Sequence, residues 1–187
     1  MKPSYIFLAD GFEEIEALAT IDLMRRAGMI VVPVSVTGST TVTGANGIAT
    51  VADILFEELP TDVEAEWLIC PGGLPGASTL GSYQPLGKLI VDNLKAGKSK
   101  IAAICAAPAM VLYPLGILDG LTATCYPGCE AGLDRTTWDT SRRVVASDNI
   151  ITANGPSSAF PFALAIIANS LGEDTARQIG QGTLYYA

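Results

Sequence analysis

The sequence predicts an α/β fold in which a mostly parallel sheet carries helices on both faces, and three observations predict it. Short apolar runs alternate with segments of helical period from end to end. The runs at 67–70 (WLIC) and 101–104 (IAAI) are continuously apolar, as strands covered on both faces require. The segment KIAAICAAPA at 100–109 passes from such a strand through Cys105 straight into Pro108, a residue suited to the first turn of a helix. With 187 residues, 49% of them hydrophobic, the chain is long enough for one domain, 1–187, that closes its core without staples. No linker, repeat or low-complexity stretch divides it.

In chain order, 5–9 reads as the first strand. Residues 13–27 read as a helix with apolar positions at Ile15, Leu18, Ala19, Leu23 and Met24, stopped by Gly28. A second strand follows at 30–36, and 41–53 places Asn46-Gly47 between β-branched residues, which signals a hairpin. The strand at 67–70 runs into the tight loop Pro71-Gly72-Gly73. A helix at 84–96 stops at Gly97, then come the strand ending at Cys105 and a helix at 108–115. Further strands are expected at 121–125, 143–146 and 150–153, a long apolar helix at 157–171 and a short one at 173–180.

Composition narrows the function. The net charge is −8, and the basic pairs Arg25-Arg26 and Arg142-Arg143 are isolated, so no nucleic-acid partner is expected. No apolar stretch free of charges and turn residues reaches transmembrane length, so no membrane partner is expected either. The first residues lack a basic segment followed by an apolar core, which argues against a signal peptide. Cys70, Cys105, Cys125 and Cys129 are irregularly spaced and do not read as a disulfide framework; a reducing cytoplasm is the simplest location. The chain contains no histidine, which excludes a Cys–His dyad within one subunit and an imidazole zinc site. No metal and no cofactor are expected. Acid–base work falls to carboxylates, tyrosine, cysteine, lysine, backbone or water.

In parallel sheets ligands bind beyond the carboxyl ends of the strands. Three notable segments lie there: 10–16, 71–73 and Cys105. At a strand-to-helix corner, Cys105 would face free N–H groups and the positive end of a helix dipole, which lower a thiol pKa and suit a nucleophile. An inert core cysteine is the competing reading. Glu13, Glu14 and Glu16 crowd the start of one helix, and dipole preference accounts for the first two. Glu16 lies close to the apolar stripe, where a desolvated carboxyl facing a pocket can keep its proton and donate a hydrogen bond to a thiolate. Gly72 and Gly73 would let backbone N–H groups approach a ligand as an oxyanion site, or simply form a tight turn.

The segments LADGFEEIEAL (8–18), DLMRRAG (22–28), LICPGG (68–73), IAAICAAPA (101–109) and NGPSSAFPFALAII (154–167) resemble, in kind and in order, the ThiJ/PfpI superfamily. That superfamily lies within the class I glutamine-amidotransferase-like fold. The chain is similar to the branch that holds the Parkinson-disease-associated protein and its bacterial relatives. The resemblance implies a flavodoxin-like α/β/α sandwich, usually a homodimer. It also implies that Cys105 is the elbow nucleophile and that Glu16 is a protonated glutamate touching its sulfur. Gly72 and Gly73 would form the loop opposite, with Gly73 and Ala106 as backbone donors.

Activities attributed to this branch are glyoxalase-type conversion of 2-oxoaldehydes, deglycation, and sensing or chaperoning under oxidative stress. Three positions depart from the family pattern. Tyr126 stands where many relatives carry a histidine, and Ala106 where the peptidase-like branch has one; Asn46 replaces an arginine some relatives use near the pocket. Tyrosine can hydrogen-bond a substrate oxygen but is a poor base near neutral pH. Without histidine, proteolysis lacks its base and acid.

The leading expectation is a cysteine-dependent enzyme of small reactive carbonyls. The alternative is a redox sensor in which Cys105 oxidises, with Cys125 or Cys129 as a resolving thiol or as unrelated cysteines. An amide hydrolase rests on fold analogy alone. A non-catalytic binding role leaves the cysteine, glutamate and glycine constellation unexplained.

Overall fold

The computed structural model describes residues 1–147 and 149–186. From the N-terminus the chain builds β1 (Ser4–Leu8), α1 (Glu14–Arg26), β2 (Val31–Ser35), a hairpin of β3 (Thr41–Thr43) and β4 (Ala49–Val51), and β5 (Ile54–Leu55). β6 (Trp67–Cys70), α2 (Gly76–Ser82), α3 (Gln84–Lys95) and β7 (Lys100–Ile104) follow. Beyond a π-helical turn at Pro108–Leu112 come β8 (Thr122–Ala123), β9 (Thr137–Trp138), β10 (Val144–Ala146), β11 (Ile150–Ala153), α4 (Ala159–Leu171) and α5 (Glu173–Gly182).

The central sheet has the order β10-β11-β7-β6-β1-β2-β5 and is parallel except at its edge strand β10. Side chains alternate between its faces with the two-residue period of a strand. Ile6, Leu8, Trp67, Ile69, Ala102 and Ile104 pack with Leu23 and Met24 of α1 and with Phe162 and Ile166 of α4. Their neighbours Tyr5, Phe7, Leu68, Cys70, Ile101 and Ala103 pack with Leu80 of α2, Leu86 and Ile90 of α3 and the π-helical turn. The result is the expected three-layer α/β/α arrangement. Among the described residues no helix is long and apolar enough to cross a membrane.

Four local expectations are corrected. In α1, Ile15 is 57% exposed and Leu18 39% exposed, while Glu14 and Glu16 are buried. The inward face of this first turn meets backbone N–H groups of the hairpin and the glycine loop, so carboxylates rather than hydrocarbon fill it. The helix expected at 108–115 is a single wide turn in which the Tyr113 N–H donates to the Pro108 carbonyl at 3.0 Å. Pro114, which has no N–H to give, ends it. The strand at 121–125 shrinks to Thr122–Ala123 and pairs with β9 outside the main sheet. Thr152 Oγ1 takes the next N–H, that of Thr124, at 3.0 Å.

Finally, α2 and β5 were not expected. α2 begins and nearly ends on glycine, which hides its period, and Gly81 is needed there: a Cβ would lie 2.3 Å from the Met110 carbonyl oxygen of the π-helical turn.

Candidate active site

The carboxyl ends of β6 and β7 and the first turn of α1 meet at one point, and Cys105 sits on it. The residue follows β7 directly and takes a left-handed backbone, with φ of 64°. For a non-glycine residue that conformation costs on the order of 1–3 kcal/mol and persists only where its surroundings fix it. Two hydrogen bonds do so: the Cys105 N–H donates to the Ala153 carbonyl and the Tyr126 N–H to the Cys105 carbonyl, both at 2.8 Å. The side chain is 8% exposed, and the backbone N–H groups of Gly73 and Ala106 are directed at its sulfur.

The glycine loop is shaped by close approach. A Cβ on Gly72 would lie 2.5 Å from the Cys105 Cβ and 2.8 Å from Glu16 Oε2, so no other residue fits between them. Gly73, at φ 87°, backs onto the Gly11 carbonyl and the Glu13 N–H. The Glu13 N–H donates to the Gly72 carbonyl at 2.9 Å, and the Glu13 carboxylate caps α1 by accepting from the Glu16 N–H at 2.7 Å.

Glu16 is wholly buried. Its Oε2 accepts from the Gly72 N–H at 2.8 Å, whereas Oε1 has no hydrogen-bond partner of good geometry among the described residues. Burial, reinforced by the charge of Glu13, raises this carboxyl to about 7 against the opposing pull of Gly72 and Cys105. Burial and then the Glu16 carboxylate push the Cys105 thiol up to about 12, and the Gly73 and Ala106 N–H groups pull it down only in part. The thiol pKa lowered by a helix dipole, expected from the sequence, is therefore corrected. The turn behind the cysteine is five residues long, and the sulfur is buried beside a carboxylate. Groups this close titrate as one unit, and burial together with the Glu16 carboxylate keeps the shared proton mainly on the sulfur.

The remaining positions divide. Asn46 donates to Glu14 through its backbone N–H at 2.7 Å and its side chain at 2.9 Å, with the Ile48 N–H at 3.4 Å beside them. It is thus committed to fixing the hairpin onto α1. Tyr126 is half-exposed, and its ring covers Gly155, where a Cβ would lie 3.3 Å from Cδ2. Its backbone, rather than its phenol, touches the elbow. Cys70 lies buried in the opposite layer, with its thiol pushed up to about 12 by burial alone.

Two connections escaped the sequence: the Glu14–Asn46 tie, which spans 32 positions, and Glu130, whose Oε2 lies 3.7 Å from the Cys125 sulfur. A cavity of about 710 Å³ lies against α3 beside Phe56, Tyr83, Leu89 and Lys98 and contains none of the site residues.

The sequence profile of the DJ-1/PfpI family matches residues 3–169. Protein dj-1beta of Drosophila melanogaster is 31% identical over 184 residues, covering 98% of this chain and 97% of its own. Protein DJ-1 homolog B of Arabidopsis thaliana is 35% identical over 178 residues and 95% of this chain, which spans only 40% of that longer protein. The glutathione-independent glyoxalase DJR-1.2 of Caenorhabditis elegans is 33% identical over 89% of this chain and 87% of its own.

Among solved structures, a cysteine-to-alanine variant of a DJ-1 superfamily protein from Salmonella typhimurium superposes with a TM-score of 0.92 at 29% identity over the whole of both chains. Oxidized Toxoplasma gondii DJ-1 superposes with a TM-score of 0.91 at 35% identity, again over both whole chains. The chain belongs to the DJ-1/PfpI family.

Proposed function

We propose that the chain is a cofactor-independent enzyme of small reactive carbonyls, with 2-oxoaldehydes as its substrate class and Cys105 as nucleophile. The observation that carries this reading is the meeting of the Cys105 sulfur, a buried Glu16 carboxyl with one oxygen left unpartnered, and the Gly73 and Ala106 N–H groups. A relative named as a glutathione-independent glyoxalase supports it.

The reactive form is the tautomer in which the pair's proton passes from the Cys105 sulfur to Glu16 Oε1, which leaves a thiolate facing the Gly73 and Ala106 N–H groups while Oε2 keeps its bond from Gly72. The thiolate adds to the aldehyde carbon, and the oxyanion that forms is held by the Gly73 and Ala106 N–H groups. Glu16 then moves a proton between the adjacent carbons, converting the hemithioacetal to a thioester. Water releases the 2-hydroxy acid and restores the thiolate. Deglycation would draw on the same thiol adduct. Gly72 positions Glu16, and Tyr126 offers a hydroxyl at the rim for a substrate oxygen.

The test is lactate formation from methylglyoxal by the reduced protein. Cys105→Ser should abolish turnover, and Glu16→Gln should lower it on the order of 100-fold or more, the scale of acid–base catalysis. Turnover retained by Cys105→Ser would sink the assignment.

A second reading, oxidative sensing through Cys105, is favoured by the relative solved in an oxidized form. Under it the reduced protein shows no carbonyl turnover. The exposed Ile15 and Leu18 of α1 and Ile48 and Val51 of the adjoining hairpin support a homodimer through this face. Sedimentation should give a dimer and Ile15→Glu a monomer. Four free thiols suit a reducing compartment such as the cytoplasm.

A further inference from the structure

Two more cysteines lie next to the elbow, and the carbonyl chemistry uses neither. Cys125 is wholly buried, yet polar groups surround its sulfur: Glu130 Oε2 at 3.7 Å and the Tyr126 carbonyl oxygen at 3.5 Å. The turn it opens is tightened by two bonds, from the Gly128 N–H to Glu130 Oε2 at 2.7 Å and from the Cys129 N–H to the Tyr126 carbonyl at 3.0 Å. The turn is fastened to the nucleophile itself by the Tyr126 N–H, which donates to the Cys105 carbonyl at 2.8 Å. Backbones joined by such bonds run about 5 Å apart, and disulfides bridge α-carbons roughly 4.4–6.8 Å apart. The two thiols also lie within electrostatic range of one another.

We propose that Cys125 is the resolving thiol of Cys105: once a hydroperoxide has oxidised Cys105 to a sulfenic acid, Cys125 condenses with it to a disulfide. In the first step the Cys105 thiolate attacks the peroxide, the O–O bond breaks, and an alcohol or water leaves with one proton. In the second, Cys125 gives its proton to the adjacent Glu130 carboxylate and attacks the sulfenyl sulfur. Hydroxide departs and takes that proton up as water. Two electrons pass from the two sulfurs to the peroxide, and an external dithiol returns them. The disulfide shields Cys105 from the further, irreversible step to sulfinic acid. It also silences the site until reduction.

This scheme needs a reactive Cys105 but no carbonyl turnover, so the two readings can fail separately. The test is to treat the fully reduced chain with hydrogen peroxide, trap free thiols with an alkylating agent, and map the peptides by mass. The expected product has two alkylation sites lost and Cys105 joined to Cys125, and dithiothreitol restores both. Cys129→Ser should form the same bond. Cys125→Ser, or Cys125→Ala if the buried hydroxyl impairs folding, should yield on the order of tenfold more Cys105 sulfinate at the same dose. Wild-type protein that passes to sulfinate without the disulfide, or that pairs Cys125 with Cys129 and leaves Cys105 free, would overturn the proposal. Formation of the bond in a protein that never turns over methylglyoxal would uphold it while removing the carbonyl reading.

Discussion

Glu14 and Glu16 stand two residues apart on α1 and are both buried, yet they are held in opposite electrostatic states. Although burial opposes it, Glu14 is kept below the ordinary carboxylate value of 4.5 by hydrogen bonds from the Asn46 side chain and from the Asn46 and Ile48 backbone. Glu16 receives one backbone bond, keeps an oxygen without a hydrogen-bond partner of good geometry among the described residues and rises to about 7. Burial alone therefore fixes neither state; the supply of donors does. The satisfied carboxylate holds a hairpin in place, and the unsatisfied one has proton capacity left to share with Cys105.

The sharpest way to break that contrast is Gly72→Ala. The new methyl would press on both Glu16 Oε2 and the Cys105 Cβ and leave the Glu14 side alone. Stability should fall by about 1–3 kcal/mol, the usual cost of overpacking. Turnover should fall on the order of 100-fold, because reacting groups displaced by an ångström lose that much. Steady-state kinetics beside a urea titration separate the two effects.

The pH dependence of stability comes next, and here the two carboxyls should act with opposite sign. Glu16 has a folded pKa above its unfolded 4.5, so between 4.5 and about 7 the folded chain binds more protons than the unfolded one. Stability is then full below 4.5 and declines, by on the order of 3 kcal/mol, as pH rises to about 7. Glu14, with a lowered folded value, contributes above 4.5 and loses that contribution as pH falls through the folded value. Denaturation midpoints at pH 5 and pH 8 should differ in the wild type and converge in Glu16→Gln.

Removing the satisfied partner should cost slightly less. Glu14→Ala strands the Asn46 and Ile48 donors and should lose about 2–3 kcal/mol, measured by the same titration. Asn46→Ala deletes one side-chain bond and keeps the backbone one, so about 1 kcal/mol is expected. A larger loss would mean that Asn46 does more than anchor the hairpin.

The sequence carried the parts of this molecule that depend on local pattern. β1, β6 and β7 are buried on both faces and show it as unbroken apolar runs, and the elbow shows it as Cys105 between such a run and Pro108. Cys105, Glu16, Gly72 and Gly73 could be singled out together because the motifs that hold them lie at the carboxyl ends of neighbouring strands, whereas Ala106 entered only through the family resemblance. What stayed hidden depends on tertiary partners. Ile15 and Leu18 fit an inward stripe by period, but the groups that α1 faces in its first turn are N–H donors, which select Glu14 and Glu16 instead. The protonation of Cys105 was misjudged for a related reason. A helix dipole can be read from a local pattern, whereas the depth at which the sulfur is buried beside the Glu16 carboxylate cannot.

The shared proton between Glu16 and Cys105 is tested most directly by the pH dependence of Cys105 alkylation. Iodoacetamide would be the reagent, with the rate at Cys105 followed by peptide mass in wild type and Glu16→Gln. Burial and the Glu16 carboxylate together hold the wild-type thiol well above its ordinary value of 9, so the midpoint of the wild-type rate should lie above that value and should move downward in Glu16→Gln, where burial opposes the thiolate without the neighbouring charge. An identical midpoint in both proteins would show that the carboxyl and the thiol do not share a proton.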